Sequence, residues 1–452
     1  MIFSKFFKFF FIILFIPEIS TRELFIFLRL LFVCCFAKNN EKNQKKVAEL
    51  ISDLGILPVK LAQWMGYFLK IQFESRKEFD LLLNSLPYLQ SECKFRKTSL
   101  LQLKLTEFNH IIKQYDKTPI CSASIAQIYK GTTYDGQEIA IKIKHDNIID
   151  NIQRWESILE GILKFIKIKV NMDHFFLNIK EQIDFEKEAE NLKLYHRLYR
   201  KNTKVRIPSF YGGNKDILIM EYINSDNFMK VKSALSKEEV SYFTYLSRIM
   251  YQDNIFVKNV IHMDLHNGNW GIIRDKKQIV LYDFGWVLKN QTDFQRFFIL
   301  TQVGRYGAMD FFLEKYQLED KNQKLREYVN NLCEQRTLDT MDGIRLVLRM
   351  FPNEFVMDNF MFCVLSLSVF ISSLSSQIED PETYMDSQIH FMETHNVFIP
   401  LCTLIKNIRK PETKVQLEQW CSQVKIDANK LKSSSETIPL KNEKKMNRTN
   451  EL

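Results

Sequence analysis

Apolar and polar residues alternate through Glu138-Ile139-Ala140-Ile141-Lys142-Ile143-Lys144, the period of two expected of a half-buried strand. The turn before it, Tyr134-Asp135-Gly136, carries the Asp-Gly pair that favours a hairpin. Two further apolar runs read as strands: Ile217-Leu218-Ile219-Met220, continuing into Glu221-Tyr222, and Ile279-Val280-Leu281-Tyr282. Between the first two, Ile152, Trp155, Ile158, Leu159 and Ile162 fall at helical spacing, so residues 148–173 predict a helix. An acid-rich segment of helical composition, Asp184 to Asn191, comes next. Beyond Trp286 the pattern turns helical, from Phe297-Phe298-Ile299-Leu300 onward. Met357 to Leu374 is apolar on most faces yet holds Ser366, Ser368, Ser372 and Ser373, which suits a buried core helix better than a membrane span.

The two ends behave differently. Residues 1–37 contain two apolar runs, 6–17 and 24–33, interrupted or flanked by Lys8, Glu18, Arg22, Glu23 and Arg29. Neither reaches the ~20 uninterrupted apolar residues that span a bilayer, and no small-x-small cleavage site follows. The expectation is an interfacial or hairpin anchor whose basic side chains reach lipid headgroups; the alternative is a hydrophobic helix packed on the body of a soluble protein. From about Asp427 to Leu452 the chain is polar and lysine-rich, a composition expected to stay disordered.

Composition narrows the classes. With 452 residues and 46% hydrophobic content, there is material for two lobes and helical additions. The eight cysteines form no CxxC pair, which argues against a disulfide framework or zinc site and for a reducing compartment. Cys34-Cys35 beside an apolar run is an acylation candidate, though such pairs are usually buried thiols. The formal charge of +9 gathers at Lys38 to Lys46 and at Lys441, Lys444, Lys445 and Arg448. No nucleic-acid fold signature accompanies it, so these clusters read as solvated or facing an anionic membrane surface, and nucleic acid is not an expected partner.

The chemistry concentrates in Ile261 to Trp286. Asp264 and Asn269 stand five apart, and Asp283-Phe284-Gly285 follows the third strand. Phosphoryl transfer needs a carboxylate to receive or orient the acceptor hydroxyl, and an amide with a second carboxylate to hold Mg²⁺ against the phosphates. Those groups occur here in the order of a protein-kinase catalytic loop and its metal-binding DFG. Lys142, in an Ile-Ala-Ile-Lys sequence, is the candidate phosphate clamp. Its expected partner is Glu188, with Glu181, Glu186 and Glu190 as competitors. The backbone of Glu221 and Tyr222, at the end of the second strand, is the candidate contact for an adenine ring. Other kinase features are missing. No G-x-G-x-x-G precedes Lys142, where Cys121-Ser122-Ala123-Ser124-Ile125-Ala126-Gln127 stands instead, and no Ala-Pro-Glu follows Asp283.

Together these features resemble the UbiB family of atypical protein-kinase-like proteins, the aarF-domain-containing kinases. The His-x-Asp-x-His-x-Gly-Asn loop matches in full at His262, Asp264, His266, Gly268 and Asn269. The nucleotide loop of the family corresponds to Ala123, Ser124, Ile125, Ala126 and Gln127. Its Lys-x-Gly-Gln motif corresponds to Lys60-Leu61-Ala62-Gln63, with Ala for Gly, and its Glu-x-Asp motif to Gln182-Ile183-Asp184, with Gln for Glu. The resemblance implies an α+β, bilobal protein-kinase-like fold with a helical N-terminal extension and inserted helices. The corresponding divisions are a membrane-associating segment at 1–37, the extension at 38–115, an N-lobe at 116–225, a helical C-lobe at 226–426 and a tail at 427–452. It further implies ATP and Mg²⁺ as cofactors, with Asp264, Lys142 and Glu188 catalytic. Asn269 and Asp283 would be the metal ligands, and Lys60 and Gln63 would lie over the nucleotide. The implied partner is a membrane lipid or lipid-like small molecule, an isoprenoid quinone precursor for instance. The implied setting is intracellular and membrane-associated, in a mitochondrion or plastid, with a homodimer as a further expectation. Two other readings remain open: a non-catalytic nucleotide-binding scaffold, and a soluble small-molecule kinase of the aminoglycoside or choline kinase type.

Overall fold

The computed structural model describes residues 20–55, 57–59, 62, 80–85, 104–122, 125–146, 148–165, 173–266, 268–303, 311–318, 358–374 and 381–408. The first elements among the described residues are helices α1 (Thr21–Phe36) and α2 (Glu41–Leu54), with a short α3 (Asp80–Ser85) after them. Ser20 and Glu23 form a capping box at the start of α1, and Asn40 caps α2 by accepting from the Asn43 amide at 3.0 Å. Such caps satisfy amides that a helix leaves without partners in its first turn. Of the N-terminal expectations, the run 6–17 lies outside the described residues, and the run 24–33 lies within α1. One face of α1 packs on the body through Ile26 and Val33, while Phe25, Phe32 and Phe36 are each more than 60% exposed.

Strands β1 (Ile112–Tyr115), β2 (Cys121–Ser122), β3 (Ala126–Thr133) and β4 (Glu138–Lys144) follow, then helices α4 (Ile148–Phe165), α5 (Asp173–Gln182) and α6 (Phe185–Tyr199). Where periodicity predicted one inserted helix over 148–173, the described residues hold two before α6. Beyond them come β5 (Val205–Arg206), β6 (Phe210–Gly213) and β7 (Ile217–Glu221). The antiparallel sheet runs β1-β3-β4-β7-β6, with β2 paired to β3. It therefore starts before residue 116, since Ile112–Tyr115 belongs to it rather than to a purely helical extension.

The alternation of β4 explains its two faces. Ile139, Ile141 and Ile143 bury against Leu105, Phe108, Tyr129 and Ile219 in a small core of their own. Each such Ile is worth roughly 1.5–3 kcal/mol relative to exposure. The opposite face carries Ala140, Lys142 and Lys144 toward Phe185 of α6, with the two ammonium groups 5.2 and 5.4 Å from its ring centre. Helix α4 joins this lobe to the N-terminal helices: Trp155 meets Phe27 at 5.7 Å between ring centres, and Arg154 pairs with the buried Glu23. Gly55, ending α2 at φ 123°, lies so close that a Cβ would stand 2.9 Å from the Asn151 side chain; only glycine takes that backbone without strain.

The second lobe opens with α7 (Phe228–Val231) and α8 (Lys237–Asp253). Four short strands follow, β8 (Val260–His262), β9 (Trp270–Ile273), β10 (Gln278–Leu281) and β11 (Val287–Lys289), and then α9 (Thr292–Val303), α10 (Asn359–Leu374), α11 (Pro381–Thr394) and α12 (Ile399–Ile408). Strands β9 and β10 form an antiparallel hairpin extended by β5, and β8 pairs with β11. Helix α10 is the buried core helix its serines suggested. Phe360, Phe362, Cys363, Val364, Leu367 and Phe370 are buried, and Phe370 stacks on Tyr251 at 4.5 Å. It also underlies the catalytic loop, where Ser366 donates to the His262 carbonyl at 3.4 Å and Cys363 Sγ lies 3.7 Å from Met263 Sδ. Among the described residues, no helix is long and apolar enough to cross a membrane. The fold is α+β and bilobal, as expected. The tail from Asp427 lies outside the described residues.

Candidate active site

Lys142 points from β4 across to the first turns of α6. Asp184 caps that helix by accepting from the Glu186 amide at 3.0 Å, which sets Glu188 one turn in and facing the sheet. Lys142 Nζ donates to Glu188 Oε1 at 2.7 Å and Oε2 at 2.8 Å, and to Asp283 Oδ2 at 2.9 Å. Glu188 is 0% and Lys142 5% exposed. The chosen glutamate is thus the one that pairs; Glu181, Glu186 and Glu190 are exposed. Residues 141 positions apart in sequence meet because β10 delivers Asp283 beneath the sheet lobe.

One ammonium serves two carboxylates here. Burial drives Lys142 toward its neutral form, but Asp283 and Glu188 more than reverse this and hold it above its ordinary range. For Glu188, burial and the like charge of Asp283 outweigh Lys142 and lift the carboxyl to about 7. Each carboxylate receives only a share of the single cation, so the cluster carries surplus negative charge whenever both are ionised.

Strand ends position the catalytic loop. Asp264 lies two residues beyond β8, Asn269 immediately before β9, and Asp283 two residues beyond β10. The loop folds onto itself. Asn269 Nδ2 donates to the Asp264 carbonyl at 2.8 Å, and the Asn269 amide donates to the His266 carbonyl at 2.9 Å. With its nitrogen used, the Asn269 carboxamide has its oxygen left for a cation. The Gly268 amide donates to His266 Nδ1 at 2.9 Å, which leaves the ring proton on Nε2, 3.9 Å from Asp264 Oδ1. His262 Nε2 donates to the Asp283 carbonyl. Burial, opposed by Asp283, keeps this imidazole below its usual range and therefore neutral. Asp283 Oδ1 accepts from the Gly285 amide at 2.9 Å, and Phe284 is buried against Tyr195 at 5.2 Å. These contacts fix the Asp283 carboxylate toward Lys142.

The other expected residues divide. Lys60, Gln63, Ala123 and Ser124 lie outside the described residues. Ile125 and Ala126 are in place: the Ile125 carbonyl accepts from the His145 amide at 3.0 Å, and Ala126, opposite Lys144, shares the sheet face of Lys142. Gln127 does not share it. It stands opposite Ile143 on the other face and accepts from the Tyr129 hydroxyl at 3.1 Å, a parity that strand alternation dictates. Ile128, opposite Lys142, takes the cleft-side position. The Glu221 and Tyr222 amides are also committed, to the carbonyls of Ser209 at 2.8 Å and Glu138 at 2.9 Å. One feature the sequence did not signal is Tyr282. Its hydroxyl bonds Ser225 Oγ at 2.6 Å across the space above Gly271, where a Cβ would lie 1.9 Å from that hydroxyl.

The donor set suits Mg²⁺, a hard cation that prefers oxygen. Asp283 supplies a carboxylate and Asn269 a free amide oxygen, in a cluster with negative charge to spare. Among the described residues, no group of three or more His, Cys, Asp or Glu is placed to hold a metal ion.

Residues 94–304 match the family model of the ABC1 atypical kinase-like domain. The chain is similar to AarF domain-containing protein kinase 1 of Xenopus laevis, 26% identical over 197 residues, or 40% of this chain and 37% of that one. It is also similar to the ABC1 family protein MCP2 of Saccharomyces cerevisiae, 29% identical over 208 residues, or 40% and 36% of the two chains. Among solved structures, the complex of Rv3197 with erythromycin from Mycobacterium tuberculosis aligns over 60% of this chain and 74% of that one, at 18% identity and a TM-score of 0.45. The matches thus span little more than a third of the length of the curated relatives. Residues 94–304 thus carry an ABC1 atypical kinase-like domain, and over that domain the chain is similar to the UbiB, or aarF-domain-containing kinase-like, proteins.

Proposed function

We propose that this protein is an ATP- and Mg²⁺-dependent atypical kinase or ATPase that works at a membrane surface in support of lipid metabolism. The observation that carries the reading is the Lys142 ammonium held between Glu188 and Asp283, at 2.7 and 2.9 Å. A positioned cation, a carboxylate and an amide oxygen are what a nucleotide triphosphate needs for binding in line. Lys142 turns from Asp283 toward the phosphates as nucleotide enters, while Glu188 keeps it aligned. Asp264 accepts or orients the proton of the attacking water or acceptor hydroxyl. Asn269 and Asp283 hold Mg²⁺, which when bound neutralises charge on the transferred phosphoryl group.

The membrane part rests on α1. Its outward face carries Phe25, Phe32 and Phe36, and the exposed Arg22 and Arg29 flank them. Aromatic rings beside arginines are what an interfacial helix offers to an anionic surface. An isoprenoid quinone precursor in such a membrane fits as the lipid-like substrate, and a mitochondrial or plastid location fits the family.

Phosphate release from ATP by the purified chain, with and without anionic liposomes, tests the reading. Asp264→Asn is expected to lower turnover about 100-fold or more, the usual worth of a positioned acid–base group, with nucleotide affinity nearly unchanged. Absence of phosphate release by the parent would remove the enzyme reading and leave the scaffold, and equal release in Asp264→Asn would remove Asp264 from the chemistry.

A further inference from the structure

Away from the Lys142 cleft, the second lobe carries a solvent-open cleft of about 680 Å³ between α8, the β9–β10 turn and α11. Its wall is aromatic. Tyr242 and Phe391 lie 5.2 Å apart, Tyr245 stacks on Phe391 at 5.9 Å, and His395 meets Phe391 at 4.5 Å and Tyr242 at 5.2 Å. Its rim is basic. Lys277 Nζ stands 5.7 Å from the Tyr242 ring centre. After burial, the groups that push the His395 imidazole below its ordinary range are Lys204, Lys277 and His390, all of them basic. Two acids also line it, Glu238 and Glu239; both oxygens of Glu239 hold Arg274, at 3.0 and 3.1 Å, and one also accepts from the Ser236 amide at 2.9 Å.

The volume is that of a small-molecule pocket. Ring faces favour a planar apolar body, and three basic side chains (Lys237, Arg274 and Lys277) against two acidic ones, with imidazoles beside them, favour an anion. Phosphoryl transfer in the Lys142 cleft calls for none of these groups. We propose that this cavity is a second binding site, specific for a small aromatic anion of the aryl phosphate class. Its ring would lie among Tyr242, Tyr245 and Phe391 and its phosphate at Lys277. The site touches the far end of the β9–β10 hairpin whose near end carries Asn269 and Asp283, four strand residues away, or roughly 13 Å. It does not depend on the nucleotide reading.

The test is equilibrium dialysis of the full chain against 4-methylumbelliferyl phosphate, with Mg²⁺ and excess non-hydrolysable ATP analogue present to occupy the Lys142 cleft. One saturable site per chain is expected. It should weaken about tenfold or more in Lys277→Glu, which reverses the rim charge, and in Thr394→Trp, which fills the cavity from an exposed lining position, with melting temperatures unchanged. A tenfold loss corresponds to about 1.4 kcal/mol. Absence of saturable binding, displacement by the ATP analogue, or equal affinity in both variants would overturn the proposal. So would equally effective displacement by inorganic phosphate, since the aromatic wall would then contribute nothing.

Discussion

Replacing Glu188 by Gln isolates the electrostatics of the buried cluster. The carboxyl rises from an ordinary 4.5 to about 7 in the folded chain. A folded-state value above the unfolded one means that the folded chain holds the extra proton between those two pH values. Stability from this group is therefore greatest below about 4.5, falls as pH rises, and levels off above about 7. At about 1.4 kcal/mol per pH unit, the displacement amounts to roughly 3 kcal/mol across the window. Gln cannot titrate, and its oxygen still accepts from Lys142, which keeps Asp283 as its charge partner. The variant is expected to be less stable than the parent near pH 5 and to gain on it by a few kcal/mol by pH 8. Asp253, another buried carboxyl raised by burial to about 6, titrates alike in both chains and drops out of the difference. Urea denaturation of parent and variant at pH 5, 6, 7 and 8 measures this directly. A stability difference that stays constant with pH would refute the shared-cation argument.

Other outcomes follow from single contacts. Gly271→Ala would place its Cβ on the Tyr282 hydroxyl and break its bond to Ser225; the expected result is a several-fold higher KM for ATP with kcat less affected, measured by steady-state phosphate release. Trp155→Ala removes a ring that is 4% exposed and packs on Phe27; a loss of roughly 3 kcal/mol is expected, with α1 cleaved earlier than the lobes in limited proteolysis. Changing Phe25 and Phe32 together to Ser should cut binding to anionic liposomes about tenfold or more in flotation assays while leaving ATP turnover in solution unchanged, because both side chains face outward.

Much of the cleft was legible because its chemistry is written in short local patterns. The alternation through β4 located Lys142, and the order of Asp264, Asn269 and Asp283 around one apolar run located the loop. Pairing of Lys142 with Glu188 over its three acidic neighbours was a matter of helix phase: Glu188 faces the sheet, whereas Glu186 and Glu190 lie on the solvent side of the same helix. What failed depended on strand parity and on hydrogen-bond competition. Gln127 follows the small residues of the loop, yet its position in β3 turns it to the opposite face. The backbone of Glu221 and Tyr222, read as the contact for a base, has its two amides assigned by the sheet register to Ser209 and Glu138. Tyr282 gave no signal, because its role arises from a glycine eleven residues earlier in the neighbouring strand. For the 24–33 run, one face of α1 packs on the body through Ile26 and Val33, and the other leaves Phe25, Phe32 and Phe36 exposed.

Titration calorimetry of ATP into the parent chain and Asp283→Asn, each with and without Mg²⁺, bears most directly on whether Lys142, Asp283 and Asn269 form one nucleotide and metal site. The parent should bind ATP much more tightly with Mg²⁺ present, and the variant should lose that dependence on the ion. Undiminished Mg²⁺-dependent binding in Asp283→Asn, or no ATP binding by the parent under any condition, would contradict it.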